Sequence, residues 1–600
     1  MRLAKRVLLV AWPGADWKLV SRLTDAGLLP NVQRLMENGI LAPAASLTPQ
    51  VGPPLYTSIT TGVHADQHGI LTSIECDPRT GQARPPLSTS RRRKALWNIL
   101  SERGARSIVV GWPAQYPVET IHGISVSAEF FDAVAPPHIP WTAPPDSLYP
   151  IGLAPRLTQL CVHSTELTAA ELFPFFPNLA SIDQKKDRRL AALTARLARA
   201  INTQAVTTSL MESEPWDFLA VSNGLIEAAA LEVNRTPDLC NQATEMAYRF
   251  SDLMLGRLIQ LAGEDSLIIL ASAFGFHRFQ ENAAPRITPG FFCMAGPHLK
   301  TDEIMHGATL LDIAPTILFA LGLPIGRDVQ GTALTSAFLD PPRPEYVATW
   351  ESRTTPLETN GYPDDAALWK TELATLGYRD PQVEQIAELS LRIERERALN
   401  LAAVYLSSGR LPQAAEPLEG LRARRNCDEL CLLMLSYVYL VSGAYDNCRA
   451  LLPFIPDNPQ TKPIVTAIKS FLCAAAGQRK EALALAREAE NSASLSPLLA
   501  YGIGCIYLSL GKCGKAEAAF RKAAEINPSY WLAQHGRASA LRRLGRLEAA
   551  AEAVRASLQE NFAVPESHRL LAITLLGLGD HARAVQAFRT ARALSPAGVY

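Results

Sequence analysis

The chain has no run of about eighteen consecutive apolar residues, so none of it reads as a membrane-spanning helix. The opening stretch Met1–Trp17 carries Arg2, Lys5 and Arg6 before a short apolar run, and it lacks a small-residue cleavage site. It reads as a core strand and not as a secretory signal. An excess of charge of either sign is also missing: 58 Lys and Arg balance 58 Asp and Glu. A nucleic-acid binder usually shows a basic surplus, so that class is not expected. The ten cysteines include no Cys-x-x-Cys pair. Cys427 and Cys431 stand close together without a second pair, which argues against a zinc ribbon. Thiols scattered in this way suit a reducing compartment. The expectation is a soluble, cytoplasmic chain with no membrane span and no nucleic-acid partner. What is present is ordinary for globular protein: 48% apolar and 19% charged residues, over a length of 600 that implies several domains.

The second half repeats itself. Gly409, Gly443, Gly477, Gly511, Gly545 and Gly579 are each 34 residues apart. Seven residues before each stands a small residue (Ala402, Ser436, Ser470, Gly504, Ala538, Ala572), and five after each stands another (Ala414, Cys448, Ala482, Ala516, Ala550, Ala584). Tyr405, Tyr439 and Tyr507 recur four before, Phe520 and Phe588 nine after, Pro528 and Pro596 seventeen after. Small residues let paired helices approach, glycine ends a helix in a left-handed conformation at least cost, and proline stops the next helix. The pattern resembles the tetratricopeptide repeat, a helical hairpin of about 34 residues. Six repeats are expected over 395–600, forming an all-α solenoid with a concave groove lined by the first helix of each hairpin. Tyr501, His535, Arg542, Arg543 and Arg569 are the candidate partner-binding residues. Their charge points to an acidic or carboxylate-bearing protein or peptide as partner. The last repeat has no added capping helix, which leaves an apolar face for self-association.

The first half shows apolar β runs alternating with helical stretches, the mark of an α/β fold with a mostly parallel sheet. Strands are expected at 6–12, 107–111, 217–222, 267–272 and 291–295. An ordered set of landmarks runs through it: Pro13-Gly14-Ala15-Asp16-Trp17, Gly27-Leu28-Leu29-Pro30-Asn31, Thr57 to Gly62, His68-Gly69-Ile70, Gly111-Trp112-Pro113, Ser272-Ala273-Phe274-Gly275-Phe276, and Leu310 to Leu318. In this order the segment resembles the alkaline phosphatase superfamily, most closely its type I phosphodiesterase/nucleotide pyrophosphatase branch, over roughly residues 5 to 340. The resemblance implies a three-layer α/β sandwich.

It also implies two divalent cations that activate a Thr or Ser nucleophile and clamp phosphate oxygens, held by Asp and His. Carried over position by position, these sites read Pro13 for the first Asp and Gly52 for the nucleophile. Ile226 and Ala230 stand for an Asp–His pair, Ala273 and Phe274 for the next Asp and His, and Arg286 for the last His. None offers a metal donor or an activatable hydroxyl. The reading is therefore a pseudoenzyme with no catalytic residue, no metal ligand and no cofactor. Replacing the whole ligand set avoids the cost of stranded buried carboxylates. His277 beside Phe276 reads as a surface residue, His68 as a satisfied buried histidine, Asp16 as a helix-start residue and Glu227 as a solvated helix residue. Two other functions stay open: a phosphoric ester hydrolase rebuilt around Glu227 or His277, and a sensor whose Arg278, His277 and Arg286 hold an anion or nucleotide without turnover.

The domains expected are 1–345 for the hydrolase-like fold, 346–394 for a linker with helices near 365–376 and 381–394, and 395–600 for the repeats. Tyr346–Trp350 is expected as a last edge strand. The Pro-rich insertion Ala135–Asp146 is a candidate cover or partner site.

Overall fold

A computed structural model describes all residues except 1, 45–46, 78–80, 133–138, 178–188, 233–239, 278–285, 352–382, 493–495, 563 and 595–600. The expected helix at 365–376 and part of the Pro-rich insertion lie outside the described residues. The chain divides into two compact units, Met1–Val404 and Tyr405–Tyr600.

In the first unit, strand β1 (Arg6–Ala11) shows why this sequence makes a buried sheet. Leu8 and Val10 point into one apolar cluster and Val7, Leu9 and Ala11 into another, so alternate side chains feed opposite faces. Both faces are covered, which is why the strand reads as continuously apolar. Around it lie β2 (Gly39–Pro43), β3 (Ser107–Val110), β4 (Gly123–Val126), β5 (Leu148–Tyr149), β6 (Phe218–Ser222), β7 (Ser266–His277), β8 (Arg286–Ala295) and β9 (Glu303–Ile304). The nine-stranded order is β9-β2-β8-β7-β1-β6-β3-β4-β5. β7, β1, β6, β3 and β4 run parallel, whereas β8 is antiparallel to both β7 and β2. The five expected strands are all present, and β7 runs further, to His277.

One face carries α1 (Trp17–Asp25), α2 (Pro30–Glu37), α4 (Arg189–Ser213), α5 (Leu225–Glu232) and α6 (Cys240–Ala262). The other carries α3 (Gly52–Thr61) and α7 (Ile313–Ala320). The α/β three-layer sandwich is confirmed. Tyr346–Val347 pairs with Ile325–Gly326 in a separate parallel two-stranded sheet and is not an edge of the large one.

The expected helix at 381–394 is the start of one continuous helix, Val383–Ser407. It does not stop before the repeats, because its sequence holds neither proline nor glycine. In the second unit, helical hairpins follow at Leu411–Ala423, Glu429–Val441, Tyr445–Leu451, Thr461–Ala475, Arg479–Glu490, Pro497–Ser509, Cys513–Ile526, Trp531–Arg543, Leu547–Glu560, Pro565–Gly577 and His581–Leu594. All six periodic glycines have positive φ, between 72° and 79°. After each, the next amide reaches back five residues: Arg410 to Tyr405, Ala444 to Tyr439, Gln478 to Cys473, Lys512 to Tyr507, Arg546 to Leu541 and Asp580 to Leu575, at 2.8–3.0 Å. This capping bond satisfies a carbonyl that the helix end leaves unpaired. Cys427 and Cys431, counted among cysteines whose pattern suits a reducing compartment, form a disulfide. Asp428 caps the helix between them by accepting from the Cys431 amide at 3.0 Å, and this turn brings the two sulfurs together.

Candidate functional site

β1, β6 and β7 run parallel side by side, so their carboxyl ends deliver Trp12–Asp16, Asn223–Glu227 and Ala273–Phe276 to one edge of the sheet. Open α/β sheets hold ligands at this edge. Two glycines allow the segments to meet. Gly14 has φ +77°, and a Cβ there would lie 2.8 Å from the Glu227 Cα. A Cβ on Gly275 would lie 2.5 Å from the Asp16 Cα. The Phe276 amide donates to the Gly14 carbonyl at 3.0 Å.

Apolar residues fill the positions at which the resemblance places metal ligands, apart from Arg286. Gly52 is the first residue of α3, and the nearest group to a Cβ built there is the Phe274 ring at 3.9 Å. Nucleophile position and ligand position thus face each other as glycine and phenylalanine. Phe274 is buried and meets Phe276 edge to face at 5.3 Å. Ala273 is buried, its amide donating to the Tyr56 hydroxyl at 3.4 Å. Ile226 is fully buried in the apolar cluster on α5, and Ala230 is half-buried on the same helix. Arg286 opens β8 opposite His277 in antiparallel register. The side chains of Arg286 and His277, and all of Arg278, lie outside the described residues, as does the anion pocket expected of them.

The polar groups at this edge are already engaged. Asp16 is 1% exposed; it caps α1 by accepting from the Leu19 amide at 2.9 Å, and it accepts from the Thr288 hydroxyl at 2.7 Å. Its amide donates to the Tyr248 hydroxyl at 2.8 Å. Burial raises the Tyr248 and Tyr56 hydroxyls well above the usual phenol range, so both stay protonated. Ser272 donates to the Ala15 and Phe274 carbonyls, each at 2.9 Å, which ties the β1 and β7 loops together. Glu227 is half-buried beside Gly14, not a freely solvated helix residue. Among the described residues, no group of three or more His, Cys, Asp or Glu could hold a metal ion. Of the positions that the resemblance assigns to ligands, Pro13, Ile226, Ala230, Ala273 and Phe274 carry no side-chain donor for a divalent cation. His68 is fully buried, with Nε2 3.0 Å from the Ser58 hydroxyl and Nδ1 accepting from the Ile70 amide at 3.3 Å. Burial, reinforced by the Arg91 charge, lowers its pKa to about 3 and keeps it neutral.

In the solenoid the five candidate partner residues separate. Tyr501 is half-buried between Phe520 and Tyr530, with ring centroids at 5.6 and 5.7 Å. His535 bonds Ser567 at 2.9 Å, and burial lowers its pKa, so it adds no positive charge at neutral pH. Arg543 donates to the Leu508 carbonyl at 3.1 Å, and Arg569 pairs with Glu566 at 3.0 Å. Arg542 differs: its Nε is buried without a hydrogen-bond partner. Charge alone missed a set of exposed apolar residues on the first helices, Leu430, Tyr437, Val441 and Leu498, at 41–65% exposure. Their spacing along each helix is the signal that finds them.

A family model described as type I phosphodiesterase/nucleotide pyrophosphatase matches residues 7–288, and a tetratricopeptide repeat model matches 501–568 and 535–599. No curated protein matches the chain. Among solved structures, MamA of AMB-1 is 22% identical over 26% of this chain and 94% of that one, with a TM-score of 0.24. MamA of MSR-1 is 20% identical over 28% and 95%, with a TM-score of 0.23. The APC/C hetero-tetramer Cut9-Hcn1 is 14% identical over 40% and 48%, with a TM-score of 0.30. No described helix is long and apolar enough to cross a membrane. Residues 7–288 thus match the type I phosphodiesterase/nucleotide pyrophosphatase family, and the chain carries tetratricopeptide repeats after them.

Proposed function

We propose that the chain is a non-catalytic scaffold: a pseudo-phosphodiesterase domain that serves as a rigid body, joined to a solenoid that recruits a protein partner. The observation that carries this reading is the facing pair Gly52 and Phe274, an absent nucleophile against an aromatic ring. In-line phosphoryl displacement needs an activated oxygen on one side and a charge clamp on the other. Gly52 and Phe274 supply neither. The repeats support protein binding, since solenoids expose extended grooves. An acidic or carboxylate-bearing segment suits Arg542, the one candidate arginine whose buried Nε has no protein partner. The proposed setting is the cytoplasm.

The test is hydrolysis of bis(p-nitrophenyl) phosphate by purified protein with zinc or manganese. No turnover above buffer is expected. Turnover that disappears in Glu227→Gln would establish the rebuilt hydrolase instead, because Glu227 is the carboxylate held against Gly14. Thermal stabilisation by a nucleotide without turnover would favour the sensor reading.

A further inference from the structure

Seven cysteines among the described residues are unpaired: Cys76, Cys161, Cys293, Cys448, Cys473, Cys505 and Cys513. Burial raises the thiols of Cys161 and Cys293 to about 12 and that of Cys448 to about 11, so these stay protonated and unreactive. Free thiols in this number suit a reducing setting, where a disulfide is usually transient and redox-active. Among the described residues, Cys427 and Cys431 alone are bridged.

The bridge is not what holds its turn. It spans a sequence separation of 4, and so short a loop constrains the unfolded chain least. The main chain is tied without it. Behind the helix Leu411–Ala423, the Arg424 amide donates to the Gly420 carbonyl at 3.2 Å, Arg425 to Arg422 at 3.1 Å and Asn426 to Leu421 at 2.9 Å. Ahead of the helix Glu429–Val441, Asp428 accepts from the Cys431 amide, and its carbonyl accepts from the Leu432 amide at 3.0 Å. Between the two helices, the Tyr439 hydroxyl donates to Glu419 at 2.6 Å. None of these bonds passes through sulfur, so breaking the bridge leaves them in place.

The two sulfurs are unequal. Cys431 is fully buried, whereas Cys427 is half-buried on the turn. Thiol–disulfide exchange needs a thiolate to reach one sulfur, so attack falls on Cys427 and Cys431 is the leaving group. A reduced Cys431 finds an acceptor in place, because its Sγ lies 4.0 Å from the Leu418 carbonyl.

We infer that Cys427–Cys431 is a reversible thiol–disulfide site, at the junction of the first and second repeats, that exchanges with small thiols of the glutathione class. A thiolate of that class bonds to Cys427 Sγ, the S–S bond breaks, and Cys431 leaves with the electron pair and takes a proton. A second thiolate attacks the sulfur of the attached small thiol, releases the small-molecule disulfide and leaves Cys427 as a thiol. Two small thiols thus supply two electrons and two protons. Oxidation by the small-molecule disulfide runs the same steps in reverse.

The experiment equilibrates the full chain at neutral pH in mixtures of reduced and oxidised glutathione, blocks free thiols with N-ethylmaleimide and reads Cys427 and Cys431 by mass spectrometry. The bridged fraction should change by about tenfold or more between the most oxidising and most reducing mixtures, while the helical circular dichroism stays the same. Cys431→Ser should gain a glutathione adduct on Cys427 about tenfold faster than Cys427→Ser gains one on Cys431, following access. A pair that stays bridged in excess reduced glutathione, or that never bridges in the oxidised form, overturns the inference. So do loss of the helical signal on reduction and equal adduct rates in the two variants. The wild-type titration decides the matter even where a variant fails to fold. The scaffold reading is tested separately, by phosphodiester turnover.

Discussion

Gly14 and Gly275 show how a single missing Cβ fixes the meeting of three strand ends. Gly14 needs both its positive φ and its 2.8 Å clearance from the Glu227 backbone. Gly14→Ala should therefore cost roughly 2 kcal/mol or more, measured by denaturant unfolding, because strain and overlap act together. His68 supplies a pH test. Burial first, then Arg91, depresses its folded pKa to about 3. A depressed histidine is neutral when folded, so its contribution is complete above the unfolded value of about 6.5 and declines as pH falls toward about 3. Unfolding free energy should drop by roughly 1.4 kcal/mol per pH unit below about 6.5 through this group alone. His68→Gln should flatten that slope. Equal slopes in the two proteins would show that His68 titrates normally.

At the level of elements, the repeats test packing against position. Phe520 and Phe588 occupy the same place in hairpins two repeats apart, yet Phe520 is fully buried and Phe588 is 38% exposed. Gly504 and Gly536 make room for the Phe520 ring: a Cβ on either would lie within 2.6 Å of it. Phe520→Ala should cost about 3–5 kcal/mol, and Phe588→Ala about 1 kcal/mol or less. Gly545, with φ +77° and nothing near its Cβ position, should lose only about 1 kcal/mol on Gly545→Ala, from backbone conformation alone. The sequence made this architecture legible because period and glycine placement are local. It made β1, β6 and β7 legible because strands buried on both faces leave unbroken apolar runs. The disulfide between Cys427 and Cys431 was not legible, since it depends on a cap turn that spacing alone does not specify. The continuity of Val383–Ser407 was hidden by reading the repeat period as a boundary, although no helix breaker stands there.

For the whole molecule, the proposed scaffold role rests on the sheet edge and on the repeats together. Ligand positions hold Pro13, Ile226, Ala230, Ala273 and Phe274, the nucleophile position holds Gly52, and the nearby Asp16 carboxylate caps a helix and accepts from Thr288. The resemblance located those positions in sequence. What it could not supply was the engagement of the remaining polar groups, which depends on partners more than two hundred residues away, such as Tyr248 and Thr288 for Asp16. The groove was half legible: the arginines stood out by charge, but which of them has a partner required coordinates. The most direct test of the non-catalytic account is the metal content of purified full-length protein, incubated with zinc and manganese, dialysed, and measured by elemental analysis. The account gives far less than one ion per chain; two tightly held divalent ions per chain would contradict it.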